Sequence, residues 1–421
     1  MDLLARNTLQ TLSRRWLLHR AFARLWFGQT ISSFGSYITS LGLPMIALFL
    51  LHATAVQIGV LTALSALPGL LVGLFIGVWV DRLPRRPVMV VADLGRVVLL
   101  GLIPLATVLG WLNLSWCYLI ALLAGLLTVC FEVASLSFLP SLLPTEELAV
   151  GNSRLALSSS LAEIAGPPLA GLLVQLLTAP LALLLDALSF LVSACCIGWI
   201  RVPEPPHRTE SAQPQLWREM VEGLSVLWHN RILRALAAYI CTHNFFGGAY
   251  AALYLLYTFQ HFGPNPLFYS LFVAAGGLGA LGGSFCAGFC VRRFGYGRTL
   301  IGSALLSGLI AFCTPLAMGP LPVLFGLFAL PQLFGDAGFA VYSISEISLR
   351  QAFVPAHLLG RVNACMYMLA NSITPLGALL AGLLSEIIGL RLTLLLGSSG
   401  IFLATGWLIF SPLRSRSPIL V

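Results

Sequence analysis

The sequence predicts an all-α membrane protein with about twelve transmembrane helices in two pseudo-symmetric six-helix bundles, and three observations support this fold class. First, apolar residues make up 58% of the 421 positions and charged residues only 9%, against about 25% charged residues in a soluble domain. Second, no Asp, Glu, Lys or Arg lies between Arg24 and Asp81, or between Arg234 and Arg292. Third, the second half of the chain repeats the first.

The apolar runs define the spans in chain order. Each long charge-free run has room for two membrane helices of roughly 20 residues, with a polar break between them, "HATAVQ" in one run and "HFGPNP" in the other. Shorter runs hold one span each. We expect the spans to be centred near Met45, Leu70, Leu100, Leu126, Ala165, Phe190, Ala249, Leu278, Leu309, Leu330, Ile373 and Leu403. The basic segment before the first span is typical of an amphipathic helix on the inner leaflet, and we expect no cleavable signal.

An offset of 211 residues aligns the two halves without a gap. The stretch "GVWVDRLPRRP" at 77–87 lies over "GFCVRRFGYGR" at 288–298, and Gly166 lies over Gly377. We therefore expect three parts, namely an N-terminal six-helix bundle at 1–200, a cytoplasmic linker at 201–232 and a C-terminal six-helix bundle at 233–421. Because a six-span repeat keeps both halves in the same orientation, a substrate cavity is expected between them near the midplane of the membrane.

The net charge of +8 reflects topology. Arginines cluster before span one, in alternate loops and at the C-terminus, with Arg391 as the main exception. This asymmetry follows the positive-inside rule, so we expect a multi-pass protein of the cell membrane with both termini in the cytoplasm and no nucleic-acid partner. The sequence contains no lysine, which excludes a Walker A nucleotide site and a Schiff-base cofactor. We interpret the nine cysteines as small apolar packing residues. We expect no metal and no cofactor.

A short motif follows span two and consists of Gly77, Asp81, Arg82, Arg85 and Arg86. Together with the repeated six-span architecture, it resembles the signature loop of the major facilitator superfamily. The resemblance implies that Asp81 latches the two halves on the cytoplasmic side through a helix dipole, with the arginines in the surrounding charge network. The alternative is that these arginines only anchor the topology.

The motif also points to one branch of that family. It departs from the usual pattern at Pro84, where a glycine is common, and the second copy has Arg292 in place of Asp81, which predicts an asymmetric latch. "DRLPRR" followed by "VVADLGR" is similar to the drug- and siderophore-exporting branch. The stretches "LPSLLPTEELAVGNSRL" and "FVPAHLLGRVNACM" resemble those of macrolide efflux proteins and enterobactin exporters.

The fifth span carries a second motif, "AEIAGPPLAGLL". Gly166, Pro167 and Gly171 resemble the fifth-helix motif of proton-coupled antiporters, although Pro168 is inserted and Ala170 stands where a glycine is usual. Independently of the resemblance, the small residues favour close helix packing.

Carboxylates inside spans are costly and are candidates for function. We expect Glu163 and Asp336 nearest the midplane, Asp186 toward the outer half, and Glu132 and Glu346 toward the cytoplasm. A carboxylate in an apolar cavity can exchange protons near neutral pH, so the proton-coupling candidates are Glu163 and Asp336 first, then Asp186 and Glu132. Packing roles and pairing with a cationic substrate are the alternatives.

One carboxylate has a basic neighbour in the sequence. Asp93 and Arg96 are three residues apart in span three and are expected to pair on one helix face, which favours a structural clamp. Among the carboxylates inside spans, we expect only Asp93 to have an arginine nearby in the sequence.

Two groups of residues allow more than one interpretation. His243 is the only histidine well inside a span, and we expect a packing role ahead of proton transfer. The span-seven aromatics either line a cavity for a bulky amphiphile, face lipid or pack between helices, and they are Phe245, Phe246, Tyr250, Tyr254 and Tyr257. The polar stretch "QTISSFGSYITS" of span one, with Gln29, Ser33, Ser36 and Ser40, is expected to face protein or water.

The leading functional prediction is a secondary active transporter that exports a small amphiphilic molecule by proton antiport. Its partners would be the small-molecule substrate, protons and the lipid bilayer, and we expect a monomer. The alternative is a proton-coupled uptake symporter or a lysophospholipid transporter. A sensor lacks a sizeable soluble domain, and an enzyme lacks a recognisable catalytic motif, so we expect no enzymatic activity.

Overall fold

The computed structural model describes residues 2–80, 83–144, 147–202 and 216–414. Within these residues the chain forms fourteen α-helices and no strand. The helices are α1 (Asp2–Phe49), α2 (Ala55–Val80), α3 (Arg85–Val108), α4 (Leu114–Leu142), α5 (Leu148–Leu177), α6 (Ala179–Gly198), α7 (Leu216–His229), α8 (Arg231–Phe262), α9 (Pro266–Phe294), α10 (Tyr296–Ala311), α11 (Leu321–Leu330), α12 (Asp336–Phe353), α13 (Ala356–Ile388) and α14 (Leu390–Ile409). A π-helical turn, Pro331–Gly335, joins α11 to α12.

The predicted all-α membrane fold is confirmed. Nine helical segments of the described chain are long and apolar enough to cross a membrane, and α11, the π-turn and α12 form one of them. The three other predicted spans coincide with α2, α8 and α10, so every predicted centre lies in a helix. Side-chain caps start several spans, because Asn113, Asn230 and Asn265 each accept a hydrogen bond from a backbone amide at the beginning of α4, α8 and α9.

Backbone contacts divide the chain into two compact units. The first unit contains 1–46 and 71–211, and the second contains 47–70 and 212–421. The predicted boundaries at 200 and 232 stay a prediction. In the first unit, α3 packs against α4 and α6, and the apolar core includes Phe22, Leu25, Met89, Phe138 and Ile197.

Three glycines spaced by seven residues line the side of α1 that faces α6. They are Gly28, Gly35 and Gly42. A Cβ at Gly28 would come within 3.1 Å of the Cα of Ser193, and a Cβ at Gly35 within 2.9 Å of the Cβ of Ser189. Because these positions carry no side chain, α1 approaches α6 closely.

In the second unit, α9 makes a similar approach to the π-turn and α12. A Cβ at Gly279 would lie 2.7 Å from the carbonyl carbon of Leu333, and a Cβ at Gly283 would lie 2.9 Å from that of Ala337. The hydroxyl of Ser307 donates to the carbonyl of Gly335 at 2.7 Å, which ties α10 to the end of the π-turn.

The amphipathic end of the linker is a helix that packs on the second unit. In α7, a Cβ at Gly223 would lie 2.9 Å from the carbonyl oxygen of Arg361 in α13. Glu222 and Arg361 form an exposed ion pair at 2.6 Å beside this contact.

Candidate functional site

The predicted pair in span three exists and is buried. Arg96 donates from Nη2 to Asp93 Oδ1, one helical turn earlier. Asp93 is 0% exposed and Arg96 is 5% exposed. The guanidinium also lies over two aromatic rings, 3.9 Å from the centroid of Phe190 and 4.9 Å from that of Phe131. Aromatic faces attract a desolvated cation, so the side chains of Asp93, Phe190 and Phe131 hold the guanidinium in place.

Two of the proton-coupling candidates join this pair. Asp186 of α6 is 0% exposed and accepts hydrogen bonds from Thr39 and, at 2.9 Å, from Ser189. Both Asp186 and Glu132 lie close enough to Arg96 to interact with it electrostatically. Helices α3, α4 and α6 therefore place three carboxylates around one guanidinium. We name Asp93, Arg96, Glu132 and Asp186 the Arg96 cluster.

The charge balance of the Arg96 cluster favours bound protons. With every group ionised, three negative charges would face one positive charge in a mostly buried site. Burial of uncompensated charge is expensive, whereas a carboxylate that holds a proton removes one charge. Because the groups interact closely, a change of charge on one of them affects the others.

A polar cavity of about 490 Å³ opens beside the Arg96 cluster within the first unit. Both Arg96 and Glu132 line it, and Glu132 is exposed to it. Hydroxyl and amide groups supply most of the remaining polar wall, namely Gln29, Thr30, Ser32, Ser33, Ser36, Thr128, Ser135, Asn152, Ser158 and Ser159. The predicted polar face of span one is thus confirmed for Gln29, Ser33 and Ser36.

Glu163 and Asp336 lie outside the Arg96 cluster. Glu163 is exposed on α5, near Tyr37 of α1. Asp336 belongs to the second unit and is half-buried at the first position of α12. A Cβ at Gly276 would reach the Asp336 carboxylate and would lie 3.0 Å from Gln332 Oε1. The π-turn therefore places Asp336 and Gln332 together against α9.

The fifth-span motif has a packing role. Gly166 meets Tyr37, since a Cβ there would lie 2.8 Å from the ring carbon Cγ. Pro167 and Gly171 are also buried, and α5 continues through both prolines. The predicted close packing at this face is confirmed, while its link with proton antiport stays a prediction.

Two other sequence-based interpretations are resolved in favour of packing. The ring of His243 stacks on Phe339 with centroids 4.8 Å apart. Tyr250, Tyr254 and Tyr257 donate to backbone carbonyls at 2.7, 3.1 and 3.4 Å. These hydrogen bonds tie α8 to neighbouring segments, although Tyr257 also lines a cavity of about 980 Å³ in the second unit.

The expectation that no carboxylate except Asp93 has an arginine nearby is wrong. Glu346 and Arg350 form a buried ion pair at 3.3 Å, one turn apart in α12. An i, i+4 spacing is readable from the sequence, so this pair could have been predicted.

Only part of the signature loop after span two lies in the described chain. Asp81 and Arg82 lie outside the described residues, while Gly77 falls in α2 and Arg85 begins α3. Arg86 donates to the carbonyls of Ile197, at 3.2 Å, and Gly198. At least one arginine of the motif thus caps the end of α6, a role that the sequence did not reveal.

The sequence is similar to those of known exporters. Macrolide efflux protein A of Streptococcus pyogenes is 26% identical over 378 residues, which cover 88% of this chain and 90% of that protein. Multidrug efflux pump Tap of Mycobacterium tuberculosis is 29% identical over 388 residues, which cover 88% of this chain and 88% of that protein.

The fold is similar to those of solved transporters. The nucleoside transporter NupG superposes with a TM-score of 0.73 and 11% identity over 93% of this chain and 98% of that one. A bacterial homologue of the iron transporter ferroportin, in an inward-facing state, superposes with a TM-score of 0.70 and 19% sequence identity. The match covers 93% of this chain and 98% of that one. At these identities the likeness shows the fold alone.

The family assignment rests on a match that runs through most of the chain. The sequence profile of the Major Facilitator Superfamily matches residues 25–378. This range begins in α1 and ends within α13, so it includes the Arg96 cluster and the π-turn. The protein is a multi-pass membrane transporter that belongs to the Major Facilitator Superfamily.

Proposed function

We propose that this transporter exports a small amphiphilic compound, such as a macrolide-like drug or a siderophore, in exchange for protons. The observation that carries the proposal is the Arg96 cluster at the wall of a polar cavity. The names of the relatives, macrolide efflux protein A and multidrug efflux pump Tap, support export of drugs. In this proposal the protein lies in the cell membrane with both termini in the cytoplasm.

The cavity of the first unit suits an amphiphile. Its hydroxyl and amide groups offer hydrogen bonds, while Phe131, Leu136 and Leu155 supply apolar surface. A few polar groups in a partly apolar cavity are typical of small-molecule sites. Glu132 is the carboxylate of the cluster that is exposed to this cavity, so it would contact a positively charged group of the substrate.

Proton coupling follows from competition for the negative charge of the cluster. A proton bound at Glu132 or Asp186 lowers the attraction for a cationic substrate, and a bound cation disfavours the proton. Linkage makes this effect reciprocal. Arg96 holds Asp93 and limits the net negative charge, so the remaining carboxylates exchange the proton.

Glu163 and Asp336 remain proposed as additional coupling residues. Each carries a carboxylate in a membrane span, and Asp336 sits beside a π-turn, a feature that is frequent at functional sites. The cytoplasmic latch at Asp81 is likewise part of the proposal.

Transport in everted membrane vesicles tests this function. With an acidic lumen, vesicles that contain the wild-type protein should accumulate ethidium or a macrolide antibiotic. Asp186→Asn and Glu132→Gln should reduce the accumulation driven by the pH gradient about tenfold or more, while exchange without a gradient persists. Glu386→Gln is the matched control, because Glu386 is an exposed carboxylate outside the cluster.

Three outcomes would contradict the proposal in different ways. If the wild-type protein moves neither compound under a pH gradient, proton-driven drug export is wrong. If Asp186→Asn and Glu132→Gln behave as the wild type while Glu163→Gln or Asp336→Asn loses coupling, the proton site lies elsewhere. Accumulation in the opposite direction would indicate an uptake symporter or a lysophospholipid transporter.

A further inference from the structure

Arginines make up half of the residues that line a second cavity in the first unit. It has a volume of about 330 Å³ and is formed by Arg20, Ala21, Arg24, Trp199, Arg201 and Val202. All three arginines are exposed, and none of the described residues that line this cavity is acidic. We name Arg20, Arg24 and Arg201 the arginine cradle.

The arginine cradle is built on a rigid frame. Arg20 and Arg24 are one helical turn apart on α1, and Phe22 and Leu25 between and beside them are buried in the apolar core. Arg201 follows Ile200, which is 0% exposed and belongs to the same core. Burial of these neighbours fixes both backbone segments, so the three arginines extend from fixed positions around the cavity.

The end of α6 further positions one of these arginines. Arg24 Nη1 donates to the carbonyl oxygen of Trp199 at 2.5 Å, while Arg86 occupies the carbonyls of Ile197 and Gly198. A guanidinium has five N–H donors, so one bond to a carbonyl leaves Arg24 able to bind an anion. The carbonyl end of a helix carries a partial charge of about −0.5, which offsets only part of the charge of Arg24.

The cradle lies at the membrane surface. Arg24 is the last charged residue before the charge-free run that ends at Asp81, and Trp199 follows the last residue of α6 with 68% of its surface exposed. Tryptophan is enriched at the level of the lipid headgroups. One planar guanidinium group can donate two parallel hydrogen bonds to two oxygens of a phosphate. Basic pockets between membrane helices bind anionic lipid headgroups.

We propose that the arginine cradle binds the phosphate group of an anionic phospholipid at the membrane surface. Under the proposed topology this surface is the inner leaflet. The site is separate from the polar cavity that holds the Arg96 cluster, and it requires no particular direction of transport.

Native mass spectrometry of the purified full-length protein tests this site. Cardiolipin, phosphatidylglycerol and zwitterionic phosphatidylethanolamine are titrated in turn. The double variant Arg20→Gln/Arg201→Gln should raise the apparent Kd for cardiolipin about thirtyfold, because each arginine at an anionic surface contributes roughly a factor of five. Arg24 is left intact because it also caps α6.

The matched control is Arg293→Gln/Arg298→Gln. This variant removes the same charge from two exposed arginines of the second unit and should change the Kd less than about twofold. Arg20→Lys/Arg201→Lys keeps the charge and should retain part of the affinity. An unchanged thermal midpoint without added lipid shows that each variant is folded.

Three results would overturn the inference. Equal affinity for phosphatidylethanolamine and cardiolipin would show that the arginine cradle does not distinguish lipids by headgroup charge. Equal loss in the control variant would show a general charge effect. If inorganic phosphate at millimolar concentration displaces cardiolipin completely, the cradle is a site for a soluble phosphate and not for a lipid.

Discussion

Thr39 of α1 donates a hydrogen bond to the carboxylate of Asp186 in α6, across a helix crossing that Gly35 keeps free of side chains. The bond satisfies one oxygen of a carboxylate that is 0% exposed. It also ties the first helix of the unit to the Arg96 cluster. The packing of α1 is thus linked with the charge state of Asp186.

We predict that Gly35→Ala destabilises the protein. The new methyl group would lie within 2.9 Å of the Cβ of Ser189 and would also meet the Asp186 carboxylate, and such overpacking lowers the free energy of unfolding by about 1–3 kcal/mol. Gly101→Ala in α3 is the control, because no atom lies within 4 Å of a Cβ there. It should raise stability by up to about 1 kcal/mol, as expected for alanine in a helix. Thermal unfolding in detergent measures both, and equal midpoints would refute the prediction.

The stability losses on removal of Arg96 and of Asp93 should not be additive. Arg96→Gln leaves three carboxylates without a guanidinium and should lower the free energy of unfolding by roughly 3–5 kcal/mol. Adding Asp93→Asn removes one of these charges, so the double variant should lose less than the sum of the single losses. Chemical unfolding of all three variants measures the coupling. Strictly additive losses would show that Asp93 and Arg96 do not act as a pair.

For two ion pairs of the second unit, burial should affect the free energy of unfolding more than the distance between the charged atoms does. Glu346 and Arg350 are 3.3 Å apart with side chains 9% and 11% exposed, whereas Glu222 and Arg361 are 2.6 Å apart but 47% and 33% exposed. Glu346→Gln should therefore cost about 3 kcal/mol of unfolding free energy. Glu222→Gln should cost less than about 1 kcal/mol, because solvent screens the pair. A larger loss for Glu222→Gln would contradict this ranking.

Arg391, the exception to the positive-inside rule, should be a structural residue. Its Nε donates to the carbonyl of Pro315 at 2.9 Å. Arg391→Gln should cost about 0.5–1.5 kcal/mol, because it removes the shorter of two hydrogen bonds to that carbonyl and leaves only the one from Tyr257 at 3.4 Å. The orientation in the membrane should not change, since other arginines still define it. Thermal unfolding measures the loss of stability, and a reporter fused to the C-terminus measures the orientation. An inverted reporter signal would show that Arg391 contributes to topology.

The sequence predicted the helices well because each span is an apolar run bounded by charge. It predicted the Asp93–Arg96 pair because the two residues are one turn apart. It could not predict that Glu132 and Asp186 join them, since these residues reach Arg96 through the tertiary packing of α3, α4 and α6. One readable signal was overlooked, namely the seven-residue spacing of Gly28, Gly35 and Gly42, which marks the side of α1 that faces α6.

The π-turn at Pro331–Gly335 has a consequence for alignment with relatives. A π-turn is a helical turn with one additional residue, and each residue advances a helix by about 100°. Five residues of the π-turn turn the chain about as far as four α-helical residues, so deletion of one residue there would leave a continuous α-helix with Asp336 and the later residues of α12 on nearly the same face. A relative that lacks the additional residue must therefore be aligned with a gap inside this span, or its α12 will be compared in the wrong register.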